Sequence, residues 1–278
     1  MKNILILADL SDTCNNTLRY AADLACAANA ERIILLKSQY VSLYAQLLPS
    51  ADFVQLSADA IDEERRKDDA ALKQMADRLT TSCGANIKIE VATSSEPLLR
   101  AVRQVIADHQ PDLIMVGSDV PGGEESIVGQ QVVAVAKIST VPVLVIPCGA
   151  SRKPLKRVLV PVDPNAIERL SLIDQLKQLQ FTTEPEILVL CVDPEGKRVG
   201  HEAENAGSFK QFLQEYEYDV QYTDDDDTVK SILNYASQNE VQLIVALPGK
   251  HSFFYNLTHS SITEALTTNS RLPVLILK

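Results

Sequence analysis

Short apolar runs alternate with longer amphipathic stretches along the whole chain. Residues 3–9, 32–37, 112–117 and 141–147 are largely apolar runs of strand length, and 86–91 also reads as a strand. Between them the apolar positions fall at helical spacing. Over 13–29, Leu18, Ala21, Ala22, Leu24, Ala25 and Ala28 share one face. A long loop with Pro49 occupies 39–57, and a charged helix is predicted over 58–82. Ser94-Ser-Glu-Pro97 reads as a helix start with Pro just inside the first turn, and that helix runs to 109. A glycine-rich loop follows 112–117, then a helix over 126–137. The order then returns. Strands are predicted at 157–163, 186–192, 219–223, 241–246 and 273–277, with helices at 166–180, 201–217, 227–239 and 260–269.

The repetition extends to residue identity. Asn3-Ile-Leu-Ile-Leu-Ala-Asp9 matches Arg157-Val-Leu-Val-Pro-Val-Asp163, an offset of 154. Pro111-Asp-Leu-Ile-Met-Val-Gly117 matches Val241-Gln-Leu-Ile-Val-Ala-Leu247, and Val-Pro-Val-Leu-Val-Ile146 matches Leu-Pro-Val-Leu-Ile-Leu277. One α/β unit is duplicated, so any function must be argued for each copy. The small-residue and proline linker Cys148-Gly-Ala-Ser-Arg-Lys-Pro154 separates a domain at 1–148 from one at 155–278.

Strands alternating with helices predict βαβ units, hence two tandem Rossmann-like α/β domains. Each would hold a five-stranded, mostly parallel sheet flanked by helices. Ligands of such sheets sit at the carboxyl ends of the strands. Those ends are Asp9, Lys37-Ser38 and Gly117 in the first half, and Asp163, Val192-Asp193 and Ala246-Leu247 in the second.

Composition narrows the partners. The chain has 278 residues, is 46% hydrophobic and lacks Trp, so Ala, Leu, Ile and Val must fill two cores of ordinary domain size. A net charge of −11 disfavours nucleic-acid backbones and anionic membranes. No run reaches the roughly 18 apolar residues of a membrane span. The opening run is cut by Asp9, too early for a signal peptide. The five cysteines, Cys14, Cys26, Cys83, Cys148 and Cys191, show no C-x-x-C spacing and read as idle thiols in a reducing cytoplasm.

The element order, the two strand-end aspartates, Pro-Asp-Leu-Ile-Met-Val-Gly117 and the Pro-Val-Leu endings resemble tandem universal stress protein domains. The resemblance implies dimerisation through the last strand, here between halves of one chain, so that 141–146 and 273–277 meet while the two sheets remain separate. Nucleotide-binding members of that family carry G-x2-G-x9-G-[S/T] after the fourth strand. Glycines there let backbone N–H groups approach phosphates at a helix start. The first half matches in part. Gly117 fits, Val120 stands at the second glycine with Gly122 and Gly123 nearby, and Gly129 precedes Gln130 instead of Ser or Thr. Glu124 and Glu125 place negative charge inside the loop. The resemblance makes ATP with Mg the candidate ligand of this half. It implies adenine near Asp9 and Val116 and phosphates near Gly129 and Gln130. In the second half, Leu247-Pro-Gly-Lys-His-Ser-Phe-Phe-Tyr255 replaces the glycine loop, and Ser260 takes the glycine position.

Other motifs read more simply. Asp9 and Asp163 also suit plain strand-end turns. Gly122-Gly-Glu124 stands where a P-loop needs Gly-Lys-Ser/Thr. Asp224–Asp227 fits a helix N-terminus, without EF-hand spacing. His109, His201, His251 and His259 have no zinc-site spacing, and no G-x-S-x-G elbow exists. No metal site and no catalytic residue is identified. Two readings stand: a non-catalytic cytoplasmic stress-response protein acting through protein contacts or a small ligand, and an ATP-binding, slowly hydrolysing protein using its first half. An ATP-using ligase or electron-transfer flavoprotein ranks last, since the pyrophosphate-loop and His-x-Gly-His signatures are missing.

Overall fold

A computed structural model describes residues 1–40, 58–84, 86–118, 131–164, 166–179, 184–192, 202–225, 227–247, 266 and 270–278. In the first half, strands β1 (Asn3–Leu7), β2 (Arg32–Ser38), β3 (Lys88–Ser94), β4 (Leu113–Ser118) and β5 (Val143–Pro147) alternate with helices α1 (Asp12–Ala27), α2 (Ala58–Cys83), α3 (Leu98–His109) and α4 (Val132–Ile138). The second half gives β6 (Arg157–Val162), β7 (Glu186–Val192), β8 (Tyr218–Thr223), β9 (Leu243–Ala246) and β10 (Val274–Ile276). Its helices are α5 (Gln175–Gln178), α6 (Glu202–Leu213) and α7 (Thr228–Gln238). The predicted helix at 260–269 and the aromatic loop before it lie outside the described residues, apart from Leu266.

The helices follow their apolar faces. In α3, Leu98, Ala101, Val102 and Val105 are buried at i, i+3, i+4 and i+7. Pro97 is the N-cap itself, with an extended ψ of 144°, and not a first-turn residue as expected. The cause is β3, which runs on to Ser94 and leaves only a short turn before the helix. In that turn Glu96 N–H donates to Ser94 Oγ at 3.2 Å. The predicted helix at 166–180 differs more. It is a 3-10 helix over Ile167–Asp174 that passes into α5. Its buried residues, Ile167, Leu170, Ile173 and Leu176, recur every third position. A period of three matches the 3-10 turn, where i and i+3 eclipse, better than the α turn.

All ten strands form one sheet in the order β3-β2-β1-β4-β5-β10-β9-β6-β7-β8. Each half supplies five parallel strands. Among the described residues the single antiparallel pairing is central and joins β5 to β10, with Val145 opposite Val274, Leu144 opposite Leu275 and Val143 opposite Ile276. The order reads alike from either edge. The expectation of separate sheets is corrected here. Both last strands are short and apolar, and each presents a free edge that the other fills in register, which satisfies backbone groups that would otherwise lie exposed. The expected pair of separate cores is corrected for the same reason. One buried layer on each face of the sheet runs through both halves. Leu144 and Ile146 share a layer with Leu275 and Leu277, while Val143 and Val145 share the other with Val274 and Ile276. Among the described residues no helix is long and apolar enough to cross a membrane.

Candidate functional site

In each half the chain runs outward from the first strand and then returns to its other side. The order β3-β2-β1-β4-β5 therefore places a topological switch point between β1 and β4, and its counterpart lies between β6 and β9. Loops leave such a point in opposite directions and open a crevice at the carboxyl edge. Asp9, Val116 and Gly117 all lie along that edge of the first half. Val116 and Gly117 sit in β4, in register with Val145 and Ile146 of β5. Gly122, Gly123, Gly129, Gln130, Glu124 and Glu125 lie outside the described residues.

Asp9 closes a tight local network. Its Oδ1 accepts the Ser11 backbone N–H at 3.1 Å and the Ser11 hydroxyl at 2.5 Å. Ser11 Oγ in turn accepts the Cys14 N–H at 3.1 Å and caps α1. Leu10 between them is left-handed, at φ 66°, and turns the chain from strand to helix. The carboxylate thus orders the βα turn, as the simpler reading of this residue has it. Cys14 lies beneath, and burial pushes its thiol up to about 11, partly offset by backbone hydrogen bonds from Asp9 and Leu10. Farther along, Asn16 Nδ2 donates to the Pro147 carbonyl at 3.1 Å and ties α1 to the end of β5.

A cation stands at the same edge. Lys37, one residue before the end of β2, has its ammonium 3.9 Å from the Asp68 carboxylate of α2, and its side chain is only 13% exposed. Gln39, just beyond, donates to Asp69 at 2.9 Å. The sequence placed Lys37 at a strand end but gave no sign of its partner. Asp68 belongs to a helix reached through a long connection, and only the fold brings the two together.

The second half presents a different edge. Arg32 of β2 pairs with Asn3 of β1, and Glu186 of β7 pairs with Arg157 of β6, so the two halves keep one register. By that register Cys191 stands where Lys37 stands in the first half. Cys191 is buried, and burial pushes its thiol up to about 12, against a hydrogen bond with Tyr222 of β8. Asp163, the counterpart of Asp9, is itself buried. Its backbone carbonyl accepts the Ala166 N–H at 2.8 Å. Among the described residues, the Lys37 position of the first half is thus taken by a buried thiol in the second.

The acidic run caps a helix. Asp227 Oδ1 accepts the Lys230 N–H at 3.0 Å, and Asp225 accepts Asp227 N–H at 2.9 Å and Ser231 Oγ at 3.0 Å. These bonds, the one from the Asp227 backbone first, hold the Asp225 carboxyl below its ordinary value. Among the described residues no cluster of His, Cys, Asp or Glu has the make-up of a metal site. The carbonyl of His109 accepts Arg32 Nη2 at 2.9 Å. His201, His251 and His259 lie outside the described residues.

The sequence model of the universal stress protein family matches residues 1–147, and the chain belongs to that family. No curated protein matches it. Among solved structures, a universal stress protein from Archaeoglobus fulgidus is similar over 99% of this chain and 98% of its own, with a TM-score of 0.69 and 19% identity. A functionally unknown protein from Pseudomonas aeruginosa PAO1 covers 100% of this chain over 92% of its own, with a TM-score of 0.57 and 14% identity. The fold of both halves is therefore shared by full-length relatives, although the family model spans only the first.

Proposed function

We propose that this chain is a non-catalytic stress-response protein of the cytoplasm. Its two universal-stress-type domains, 1–148 and 155–278, act as an intrachain dimer. The reading holds that the protein works through protein contacts, or through a small ligand held by the first half. The observation that carries it is the contrast at the carboxyl edge. The first half sets Asp9, Gly117 and the Lys37 cation along the carboxyl edge of its switch point. The second has buried Asp163 and Cys191 at the matching positions.

A second reading, Mg-ATP binding by the first half, draws on the same contrast. Asp9, Val116 and Gly117 would face adenine and ribose, and Gly122, Gly123, Gly129 and Gln130 the phosphates. Lys37, paired with Asp68, would have to share its charge with a phosphate at this edge. Against it stand Glu124 and Glu125 within the loop. The test is calorimetry of the full chain with Mg-ATP, alongside mass spectrometry of the protein as purified. No retained nucleotide and no heat of binding favours the first reading. Micromolar binding lost on Gly129→Val establishes the second.

A further inference from the structure

Cys26 and Cys83 are 57 positions apart in sequence, yet the fold sets them side by side. Cys26 is in the last turn of α1, and Cys83 is the final residue of α2. The two helices pack together through Leu72, Met75 and Leu79 of α2 and the alanine-rich face of α1. The Cys26 thiol donates to the Cys83 carbonyl at 3.8 Å, and Cys26 is among the groups that raise the Cys83 thiol. Cys26 is exposed and Cys83 partly so, whereas Cys14 and Cys191 are buried. Immediately after Cys83, Gly84 turns left-handed at φ 75° and its N–H closes the helix on the Thr80 carbonyl at 3.0 Å. Both thiols therefore sit on helix ends, where small adjustments of backbone and side chain are least costly.

We propose that Cys26 and Cys83 form a redox site at which hydrogen peroxide closes a reversible intramolecular disulfide. This goes beyond the ligand reading above and does not depend on it. Both helix ends lie at the amino edge of the sheet, a helix length from the candidate crevice. The exposed Cys26 thiolate attacks one peroxide oxygen, the O–O bond breaks, and hydroxide departs, leaving a Cys26 sulfenic acid. The Cys83 sulfur then attacks the Cys26 sulfur, the S–O bond breaks, and water leaves with the Cys83 proton. Two thiols are oxidised by two electrons and one peroxide is reduced to two waters. A small thiol reductant reverses the bond by exchange. Burial and the neighbouring Cys26 push the Cys83 thiol up to about 11, so it waits protonated as the resolving partner.

The test uses the full chain carrying Cys148→Ser, which removes the other exposed thiol. After stoichiometric peroxide, the thiol titre of the unfolded protein should fall by two. The intact mass should drop by two hydrogens, and peptide mapping should link Cys26 to Cys83. Dithiothreitol should restore both thiols. Cys83→Ser should stop at a Cys26 sulfenic acid that a 1,3-dione reagent traps, and Cys26→Ser should lose no thiol pair. A bond between other cysteines overturns the proposal. So does oxidation of Cys26 to the sulfinic acid while Cys83 stays free, or the same product with and without Cys83.

Discussion

Asp112 and Gln242 do the same work in opposite halves. One Asp112 carboxylate oxygen accepts the N–H groups of Lys2 at 2.6 Å and Asn3 at 2.8 Å. Gln242 Oε1 accepts those of Lys156 and Arg157, both at 2.8 Å. Each residue precedes the fourth strand of its half and satisfies the entry to the first. Arg32 of the second strand and Arg157 of the sixth are not equivalent positions, yet they donate to the equivalent carbonyls of His109 and Asn239 at 2.9 and 3.2 Å. The duplication is thus kept at the amino edge, where the fold is assembled. It has diverged at the carboxyl edge, where ligands of such sheets generally sit.

Removing either acceptor leaves two strand-entry donors to water. Asp112→Ala and Gln242→Ala should each cost about 1–3 kcal/mol in urea unfolding. They share no partner, so the double variant should show the sum. Gln242→Glu keeps the acceptor and should restore most of the loss, unlike Gln242→Met. A neutral result at both sites would mean the two bonds do not set the strand entry.

The strands and the duplication were legible because each apolar run is continuous and ends at Asp9, Gly117 or a Pro-Val-Leu signature. The 3-10 segment was readable in principle from the spacing of Ile167, Leu170, Ile173 and Leu176. A period of three, however, is easily taken for a ragged helical stripe. The joining of β5 to β10 was not legible, since period and composition do not state which edge meets which. Nor were Lys37–Asp68 and Cys26–Cys83, whose members belong to elements separated by long connections and meet only after α2 packs on α1. Asp9 lies at the end of β1 as its sequence position suggests, and its bonds to Ser11 serve the turn.

The shared central pair predicts one cooperative unit. Leu144→Ala or Leu275→Ala should each destabilise the whole chain by about 2–5 kcal/mol. Amide exchange should then rise in β1 and β6 alike. Because the two residues face each other in register, a double-mutant cycle should give a non-zero coupling energy. A fragment ending at 148 exposes the β5 edge and should self-associate. Two separate unfolding transitions, or a monomeric fragment as stable as the parent, would defeat this view.

At the β1 turn, Ser11→Ala removes both the α1 cap and the hydroxyl that Asp9 holds. The expected cost is about 1 kcal/mol. Asp9→Asn keeps an acceptor for the Ser11 N–H and should cost less. Equal losses in thermal unfolding would show that the carboxylate charge, not the hydrogen bonding, matters there.

Acid should selectively weaken the β3 edge. A hydrogen bond from Lys88, with Arg32 nearby, holds the Glu90 carboxyl below its ordinary value. A depressed carboxyl stabilises the folded state above its unfolded value and loses that contribution as pH falls through the folded one. Glu90→Gln should therefore lower stability at pH 7, by less than about 1 kcal/mol because the pair is partly exposed. Well below the carboxylate range the difference should vanish. A deficit that persists in acid would assign the effect to packing.

The glycine loop carries the last expectation, and it concerns charge. By the family's glycine motif, Glu124 and Glu125 fall within the loop proposed for the phosphates, and Gln130 stands in sequence where nucleotide-binding members carry Ser or Thr. A single like-charge contact at ~4 Å and an effective dielectric of ~20 opposes binding by ~4 kcal/mol, and solvent and salt reduce that sharply. Glu124→Gln with Glu125→Gln should therefore tighten Mg-ATP binding at low salt, and the gain should shrink as salt is added. Lys37→Met should act in the opposite sense, since it removes a cation from this edge. If the parent chain already holds ATP at micromolar affinity, and the paired Gln substitution leaves that affinity and its salt dependence unchanged, the acidic loop does not govern the site. The nucleotide-binding reading of the first half would then prevail.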